Sequence, residues 1–352
     1  MAFNLYNTAT LLNVLRVQPV DSAYWLDNFY QRVITFETEE VMFDRVETNR
    51  RIAPFVSPVV QGRVIRTNGY ETRTFRPAYT KPKHIVDPNR TFTRMAGEEI
   101  TGSLSPEQRW NAAVAANMAE ERVMIQRLWN WLAAMATIHG KVTITGEDYP
   151  TQVVDFGRDP GLTRTLLTTS RWGEADADPL KDIAELRKLS FMKSGSPITR
   201  LTMGLEAFDR FFVDDSVKEL LKGDDVARIS DSQMSAFGDP GAAYEYRGVL
   251  QGANGQGRVE VYTYNEEYEN EQGTTTPFMS PYDVVGTGPG LQGTRCFGAI
   301  RDKRAGLAAM AMFPKMWDQE DPSLTYTMTQ SAPLMVPANT NNSFRIVAHD
   351  GQ

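Results

Sequence analysis

The sequence predicts an α+β fold, and three observations support this prediction. Residues 106–139 carry the start signal, the apolar spacing and the stop signal of one long helix. Between residues 243 and 300, short segments rich in β-branched and aromatic residues follow one another as strands. An Asn-Gly pair at 68–69 lies between two further strand-like segments, a strong hairpin signal. Strands follow strands here, whereas a parallel α/β fold would alternate them with helices.

Composition places the chain among ordinary globular proteins. It has 352 residues, of which 41% are hydrophobic and 23% are charged. These proportions exclude collagen-like, low-complexity and wholly disordered classes. The length allows about two to three domains, each large enough to bury a core without a metal or disulfide framework.

The few cysteines and histidines give no sign of a metal or cofactor site. Cys296 is the only cysteine, and the three histidines, His84, His139 and His349, lie far apart. The N-terminal segment lacks the basic region of a signal peptide, and no apolar run approaches the roughly 18 residues that span a bilayer. We therefore expect a soluble protein made in a reducing compartment, with no cofactor and no membrane partner.

Charge is unevenly distributed along the chain. The net charge of −7 opposes binding of a polyphosphate to the whole surface. Residues 59–94 are nevertheless strongly basic, whereas residues 206–225 and 266–283 are acidic. A nucleic-acid groove reader is one interpretation of the basic segment. Pairing with the acidic surface of a neighbouring copy is favoured, because the basic residues alternate onto both faces of the segment.

The N-terminal part predicts an arm followed by a projecting ribbon. The arm carries one helix, ending by Tyr30, and one strand over residues 35–44. In the ribbon, the Asn-Gly turn pairs Arg66 with Glu71 and leaves neither face continuously apolar. A two-stranded ribbon without an apolar face is marginal alone, so we expect it to become ordered by lying on another surface.

The long helix is predicted over residues 106–139. Residues 105–108 (Ser-Pro-Glu-Gln) form a capping box with proline at the first helical position, and Gly140 supplies the stop. At 1.5 Å per residue such a helix is about 50 Å long, the spine of an elongated molecule. Its apolar stripe is Val114, Met118, Ile125, Leu128, Leu132 and Met135.

The remaining elements are predicted to be short. Residues 158–178 form a long loop that ends where Asp178 caps the next helix. The predicted helices are 180–189, 204–213 and 216–221. The predicted strands are 141–146, 152–157, 197–203, 244–250, 258–264, 282–285, 295–300, 324–330 and 344–348.

One motif could carry enzyme chemistry. Residues 288–293 (Gly-Pro-Gly-Leu-Gln-Gly) match the GxGxxG pattern of dinucleotide-binding loops. That site also needs a helix to open at the third glycine, because the pyrophosphate rests on helix N-terminal amides, and a strand-like segment follows here. A flexible glycine loop is favoured, and a soluble α/β enzyme that binds a nucleotide is the alternative. An arginine neighbour could lower the pKa of Cys296, but we interpret this thiol as structural and predict no catalytic residue.

Several segments together resemble one known family. They are Val-Ser-Pro-Val-Val (56–60), Gly-Arg-Val-Ile-Arg (62–66), Pro-Ala-Tyr-Thr-Lys-Pro-Lys-His (77–84), Gly-Lys-Val-Thr-Ile-Thr-Gly-Glu (140–147), Val-Asp-Phe-Gly-Arg (154–158) and Thr-Gln-Ser-Ala-Pro-Leu-Met (329–335). Each is weak alone, but their order over nearly the whole chain is specific. With them the chain resembles the lambda-type major capsid proteins of tailed bacteriophages, which have the Hong Kong 97-type capsid fold.

The resemblance implies a domain organisation and a function. The domains are an N-terminal arm (1–56), an extended β-hairpin loop (57–90), a peripheral domain with the spine helix (91–178), an axial domain (179–300) and a return to the peripheral domain (301–352). Copies would form pentamers and hexamers that close an icosahedral shell around packaged double-stranded DNA, bound without sequence specificity. Assembly would occur in the host cytoplasm and give the virion capsid. The implied partners are a portal protein and a scaffolding protein, which is separate because the arm has no room for a scaffolding domain. A decoration protein is a further partner that the resemblance leaves open.

The charge pattern and the resemblance together predict which residues contact neighbouring copies. On the basic side they are Arg63, Arg66, Asn68, Gly69, Arg73, Arg76, Lys81 and Lys83. On the acidic side they are Glu266, Glu267 and Glu269. We expect the basic ribbon of one copy to pair with the acidic surface of the next.

Overall fold

A computed structural model gives the fold of the chain. It describes residues 22–38, 40–46, 52–53, 55–62, 64, 70–88, 92–93, 104–146, 149–222, 242–251, 257–270 and 272–350. The α-helices with described bounds are α1 (Tyr24–Phe29), α2 (Pro106–His139), α3 (Pro179–Ser194), α4 (Leu205–Val213) and α5 (Asp215–Lys222). The strands are β1 (Arg32–Thr35), β2 (Val41–Val46), β3 (Tyr70–Phe75), β4 (Lys83–Val86), β5 (Lys141–Gly146), β6 (Tyr149–Asp155), β7 (Thr163–Thr165), β8 (Arg200–Met203), β9 (Tyr244–Gln251), β10 (Arg258–Tyr264), β11 (Glu267–Glu269), β12 (Thr275–Pro277), β13 (Asp283–Thr287), β14 (Gly293–Phe297), β15 (Phe313–Gln319), β16 (Leu324–Gln330), β17 (Pro333–Pro337) and β18 (Ser343–Val347).

The spine helix α2 forms as its sequence predicts. The Ser105 hydroxyl accepts a hydrogen bond from the Gln108 amide, and the Gln108 side chain accepts one from the Ser105 amide. Gly140 ends the helix with φ of 67°, the left-handed conformation that glycine adopts without steric cost. Both ends of the 34-residue helix are therefore set by local hydrogen bonds.

The first hydrophobic core forms around the C-terminal half of α2. Ile125 and Leu132 are buried there against α1 and the three-stranded sheet ordered β1–β14–β17. Leu128, which the predicted stripe placed at the same depth, is only partly buried. Trp129 takes its place and contacts Phe297 at a ring-centroid distance of 4.7 Å. The buried face of α2 is therefore rotated about the helix axis, by roughly one residue, from the predicted apolar stripe.

The second core lies on a six-stranded mixed sheet. Its strand order is β7–β18–β13–β8–β10–β9, with the pairs β18–β7 and β8–β10 parallel. Helices α3 and α4 bury Leu186, Phe208 and Phe211 against strand residues such as Leu201 and Val284. The capping role predicted for Asp178 is confirmed, because its carboxylate accepts a hydrogen bond from the Lys181 amide at the start of α3.

The strand partners near the N-terminus differ from the prediction. Residues 35–44 do not form one strand: β1 pairs in parallel with β14, and β2 pairs antiparallel with β3. The first strand of the predicted ribbon is absent at its described positions, since Gln61, Gly62 and Val64 are not in a strand, and β3 pairs with β2 instead. Residue 66, the predicted partner of residue 71, lies outside the described residues. The predicted Asn-Gly turn lies outside the described residues.

Two strands in the C-terminal part carry prolines and were not predicted. They are β15, which pairs with β16, and β17, which has proline at both ends. β17 pairs only with β14 in its sheet, so one of its edges needs no hydrogen-bond donors. Proline is tolerated on such an edge strand, which explains why residues 333–337 can be extended in spite of their composition.

A buried ion pair joins the end of the spine helix to the six-stranded sheet. Arg345 on β18 donates two hydrogen bonds to Asp283 on β13, at 2.9 and 3.0 Å. Its third nitrogen lies 3.2 Å from Nδ1 of His139, the last residue of α2. Burial, followed by the charges of Arg345 and Arg158, lowers the pKa of His139 to about 4. This junction therefore holds a neutral imidazole against an arginine.

The first prediction concerns this histidine. Since its folded pKa lies below the unfolded value of 6.5, its stabilising contribution is complete above pH 6.5 and is lost as the pH falls toward 4. We expect the urea midpoint of the parent protein to fall over this range more steeply than that of His139→Gln. The gap between the two proteins should narrow on acidification. A gap that stays constant with pH would contradict the neutral assignment.

Candidate functional site

Strands β2 and β3 form a separate antiparallel pair, which we call the hairpin β2–β3. Its two strands pair only with each other in the described part of the chain. At one end Phe75 contacts Phe156 with a ring-centroid distance of 5.4 Å, and Arg76 donates to Glu40 at 3.2 Å. The hairpin is thus attached to the core around α2 through Phe75. Arg76, which was predicted to contact a neighbouring copy, has an ion-pair partner within its own subunit.

The segment beside the hairpin exposes large apolar side chains. Phe55, Val59 and Val64 are each more than 90% exposed. Large apolar side chains that are exposed along one short segment suit burial against another molecule. They were not among the predicted contact residues, because those were chosen by charge, although the apolar residues of 55–60 would have been the signal. We name Phe55, Val59 and Val64 the apolar loop surface.

Besides Arg76, the residues of the basic segment that were predicted to contact neighbours divide into three groups. Four of them lie outside the described residues: Arg63, Arg66, Asn68 and Gly69. Arg73 lies in β3 at the position opposite Phe43. The ammonium groups of the two exposed lysines lie over aromatic rings of their own subunit. For Lys81 the ring is Tyr79, at 5.6 Å, and for Lys83 it is Tyr326, at 3.8 Å.

The three acidic candidates also have different surroundings. Glu266 is buried and accepts hydrogen bonds from the Ser22 amide and hydroxyl at 2.9 and 2.6 Å, and from the Tyr264 hydroxyl at 2.7 Å. Its carboxylate therefore holds Ser22 of the predicted arm within its own subunit. Glu267 and Glu269 are exposed on β11. The contact of the three glutamates with a neighbouring copy stays a prediction.

The glycine loop at 288–293 is packed, which corrects its interpretation as flexible. A Cβ atom on Gly288 would stand 2.1 Å from the Pro197 carbonyl oxygen, and one on Gly290 would stand 2.5 Å from Ser196 Cβ. Strand β14 begins at Gly293, where a dinucleotide site would need a helix N-terminus. The glycines are thus explained by close packing against the chain itself.

The thiol of Cys296 is not activated. It is buried, and burial raises its pKa to about 12. Arg295 is directed away from it and donates to the carbonyl oxygens of Leu26 and Tyr30 at the end of α1. The arginine therefore caps a helix, in agreement with the structural interpretation of this cysteine.

The described residues offer neither a metal site nor a membrane-spanning helix. Over the described ranges, no three His, Cys, Asp or Glu side chains are grouped as a metal site would require. Within the same ranges, no helix combines the length and the apolarity needed to cross a bilayer.

Comparison with known proteins gives one family. The family model described as "Phage major capsid protein E" matches residues 7–348. The major capsid protein of Enterobacteria phage P21 is 31% identical over 345 residues, covering 94% of this chain and 96% of the relative. The major capsid protein of Escherichia phage lambda is 30% identical over 341 residues, covering 96% and 97%.

A solved structure gives the same fold. The crystal structure of a prophage capsid protein of Escherichia coli CFT073 superposes with a TM-score of 0.67 at 24% identity, covering 93% of this chain and 95% of that protein. This confirms the α+β fold of the Hong Kong 97 type, and nothing in the comparisons supports the nucleotide-binding alternative. With matches that extend over almost its entire length, the chain belongs to the phage major capsid protein E family.

Proposed function

We propose that copies of this chain assemble as pentamers and hexamers into the icosahedral shell of a phage head, which encloses double-stranded DNA. The observation that carries this proposal is the extent of the family match, residues 7–348. The whole chain corresponds to capsid proteins, so the relatedness is not confined to one transferable module.

The surfaces of the subunit support assembly. The hairpin β2–β3 pairs with no other described strand, and the apolar loop surface beside it is exposed. Burying such side chains against a neighbour removes apolar area from water, which is the main favourable term in protein association. The hairpin β2–β3 therefore suits a subunit that becomes fully ordered only among copies of itself.

The net charge supports a container in which DNA is enclosed and not bound by sequence. A wall built from chains of net charge −7 repels phosphates over most of its surface. We further propose that the chain has no catalytic activity and assembles in the host cytoplasm. Its proposed partners are a separate scaffolding protein and a portal protein, which the resemblance supports, and a decoration protein is a further partner that it leaves open.

Within the proposed subunit, the arm, the extended loop, the peripheral domain and the axial domain take the boundaries given by the resemblance. Two cores support a division into two domains: one surrounds α2 and the other lies on the six-stranded sheet. Their members do not follow these boundaries throughout, because Phe297 packs in the core around α2, while Phe344 and Ile346 pack on the six-stranded sheet. The junction of Arg345, Asp283 and His139 would then connect the peripheral to the axial domain.

Size-exclusion chromatography followed by negative-stain microscopy of the purified protein tests the proposed function. We expect closed shells, or rings of five or six copies, without any added cofactor. A strictly monomeric protein under every assembly condition, with measurable turnover of a small molecule, would overturn the proposal.

The second prediction concerns the charges of the ribbon. Replacing Arg63, Arg66, Arg73 and Arg76 by glutamate should block assembly while the thermal unfolding of the subunit changes little. Exposed charges contribute only about 0–1 kcal/mol each to stability, whereas reversed charges repel an acidic neighbour. Assembly is measured by sedimentation and unfolding by calorimetry. A variant that unfolds at a much lower temperature would place these side chains in the core of their own subunit.

A further inference from the structure

A basic cleft lies between the end of α1, strand β10 and the glycine loop. Its volume is about 740 Å³, and three arginines line it: Arg32, Arg200 and Arg258. Glu260 is the one acidic residue in its lining. A cleft with this excess of guanidinium groups is a distinct feature on a chain whose net charge is −7.

Two of the arginines carry charge that no described residue of their own subunit balances. Arg200 donates to Asn28 Oδ1 at 2.7 Å, lies 3.6 Å from the Glu260 carboxylate and packs over the ring of Tyr262. Arg32 and Arg258 are exposed, and neither forms an ion pair within the part of the chain that the structure describes. The cleft thus presents two guanidinium groups that are available to an outside carboxylate.

The lining of the cleft contains a further unused polar group. Thr287 is fully buried, and its hydroxyl has no hydrogen-bond partner among the residues that the structure describes. Phe29 and Leu291 supply apolar surface beside it. A recess that combines arginines, a free hydroxyl and apolar surface suits a polypeptide segment with acidic side chains.

The same chain offers a segment of matching charge. Strands β11 and β12 form a separate two-stranded sheet, within a stretch, residues 266–283, that contains no lysine or arginine. Glu267 and Glu269 are exposed on the same face, because side chains two residues apart in a strand point the same way. Tyr268 points to the other face and contacts Phe278 at a ring-centroid distance of 5.0 Å. Neither glutamate forms an ion pair with any described residue.

We propose that the basic cleft of one subunit, in place of the basic ribbon expected from the sequence, receives Glu267 and Glu269 of the next copy in the ring, an inference that rests on the proposed function. Each copy presents its strands β11 and β12 to one neighbour, and its basic cleft binds those of the other neighbour. Such a head-to-tail contact generates rings when its rotation closes. Duplex DNA is the less favoured occupant, because a chain of net charge −7 repels a polyphosphate that approaches it.

Two charge-reversed proteins test the contact. The cleft variant carries Arg32→Glu and Arg258→Glu, and the strand variant carries Glu267→Lys and Glu269→Lys. We expect each alone to assemble at least about tenfold less than the parent, because like charges then face each other across the contact. All four side chains are exposed, so each variant should keep the parent's melting temperature.

An equimolar mixture of the two variants gives the decisive experiment. In an alternating ring each reversed cleft meets a reversed strand pair, and each unchanged cleft meets an unchanged one. Assembly should therefore return, but only as rings with an even number of copies, so hexamers form and pentamers do not. Electron microscopy of the mixture distinguishes the two ring sizes.

The matched control reverses two lysines elsewhere. Lys181 and Lys188 are exposed on α3, so Lys181→Glu with Lys188→Glu makes the same change in charge as the cleft variant and should assemble like the parent. The pairing is overturned if either variant alone assembles like the parent or if the mixture stays unassembled. It is also overturned if the parent binds duplex DNA fragments, the cleft variant does not, and assembly is intact. Failure of the parent itself to assemble would instead contradict the proposed function and the pairing together.

Discussion

Replacing Phe55, Val59 and Val64 with serine is expected to abolish shell formation and to leave the unfolding of the subunit unchanged. These side chains are more than 90% exposed in the subunit, so their loss removes no internal packing. Burying an apolar side chain of this size at an interface contributes about 1.5–3 kcal/mol, and a shell repeats that contribution in every subunit. Sedimentation measures the assembled fraction, and thermal melting measures the subunit.

A matched control keeps this third prediction specific. Leu167 and Val213 are each 63% exposed and lie outside the hairpin region, so Leu167→Ser with Val213→Ser should leave assembly close to that of the parent. If the variant of the apolar loop surface assembled as well as this control, that surface would not lie between subunits.

The fourth prediction concerns the spine helix. Leu132 is 2% exposed in the core around α2, and Leu132→Ala should lower the free energy of unfolding by about 2–5 kcal/mol. Leu128→Ala should cost less, because Leu128 is only partly buried. Val123, 38% exposed on the same helix, gives the control variant Val123→Ala, which should cost little. Urea unfolding of the three proteins gives the order, and equal losses for all three would show that the core does not lie where we place it.

The features that were predicted correctly from the sequence depend on local interactions. Ser105 and Gln108 are three residues apart and satisfy each other's backbone groups, so the start of α2 is visible in a four-residue pattern. The cap that Gly140 forms at the end of α2 and the cap that Asp178 forms at the start of α3 are equally predictable, since a cap involves only the adjacent turn. Such signals do not depend on where the rest of the chain goes.

The features that were missed depend on residues far apart in the sequence. The pairing of β1 with β14 joins Arg32 to Thr294, and no local pattern in either strand specifies the other. The same limit explains the hairpin, where an Asn-Gly pair suggested the nearest strand as partner and the fold uses β2 instead. Strand partners are selected by tertiary packing, and a turn signal identifies only a place where the chain can reverse.

Burial also separates residues that the sequence presents as equivalent. Glu266 and Glu267 are neighbours of the same type, yet the first is held by Ser22, which is 244 positions away. Glu121 appears in the sequence as an ordinary charge on a helix surface. It is in fact fully buried and accepts hydrogen bonds from Thr327 and Thr329 at 2.8 and 2.7 Å. These donors satisfy the buried carboxylate, and only the fold brings them to it.

Single-particle cryo-electron microscopy of the assembled protein tests the central claim most directly. We expect closed shells built from rings of five and six copies, with the hairpin β2–β3 and the apolar loop surface of each subunit lying on a neighbouring subunit. Particles without closed symmetry, or shells in which Phe55, Val59 and Val64 remain exposed to solvent, would contradict this account.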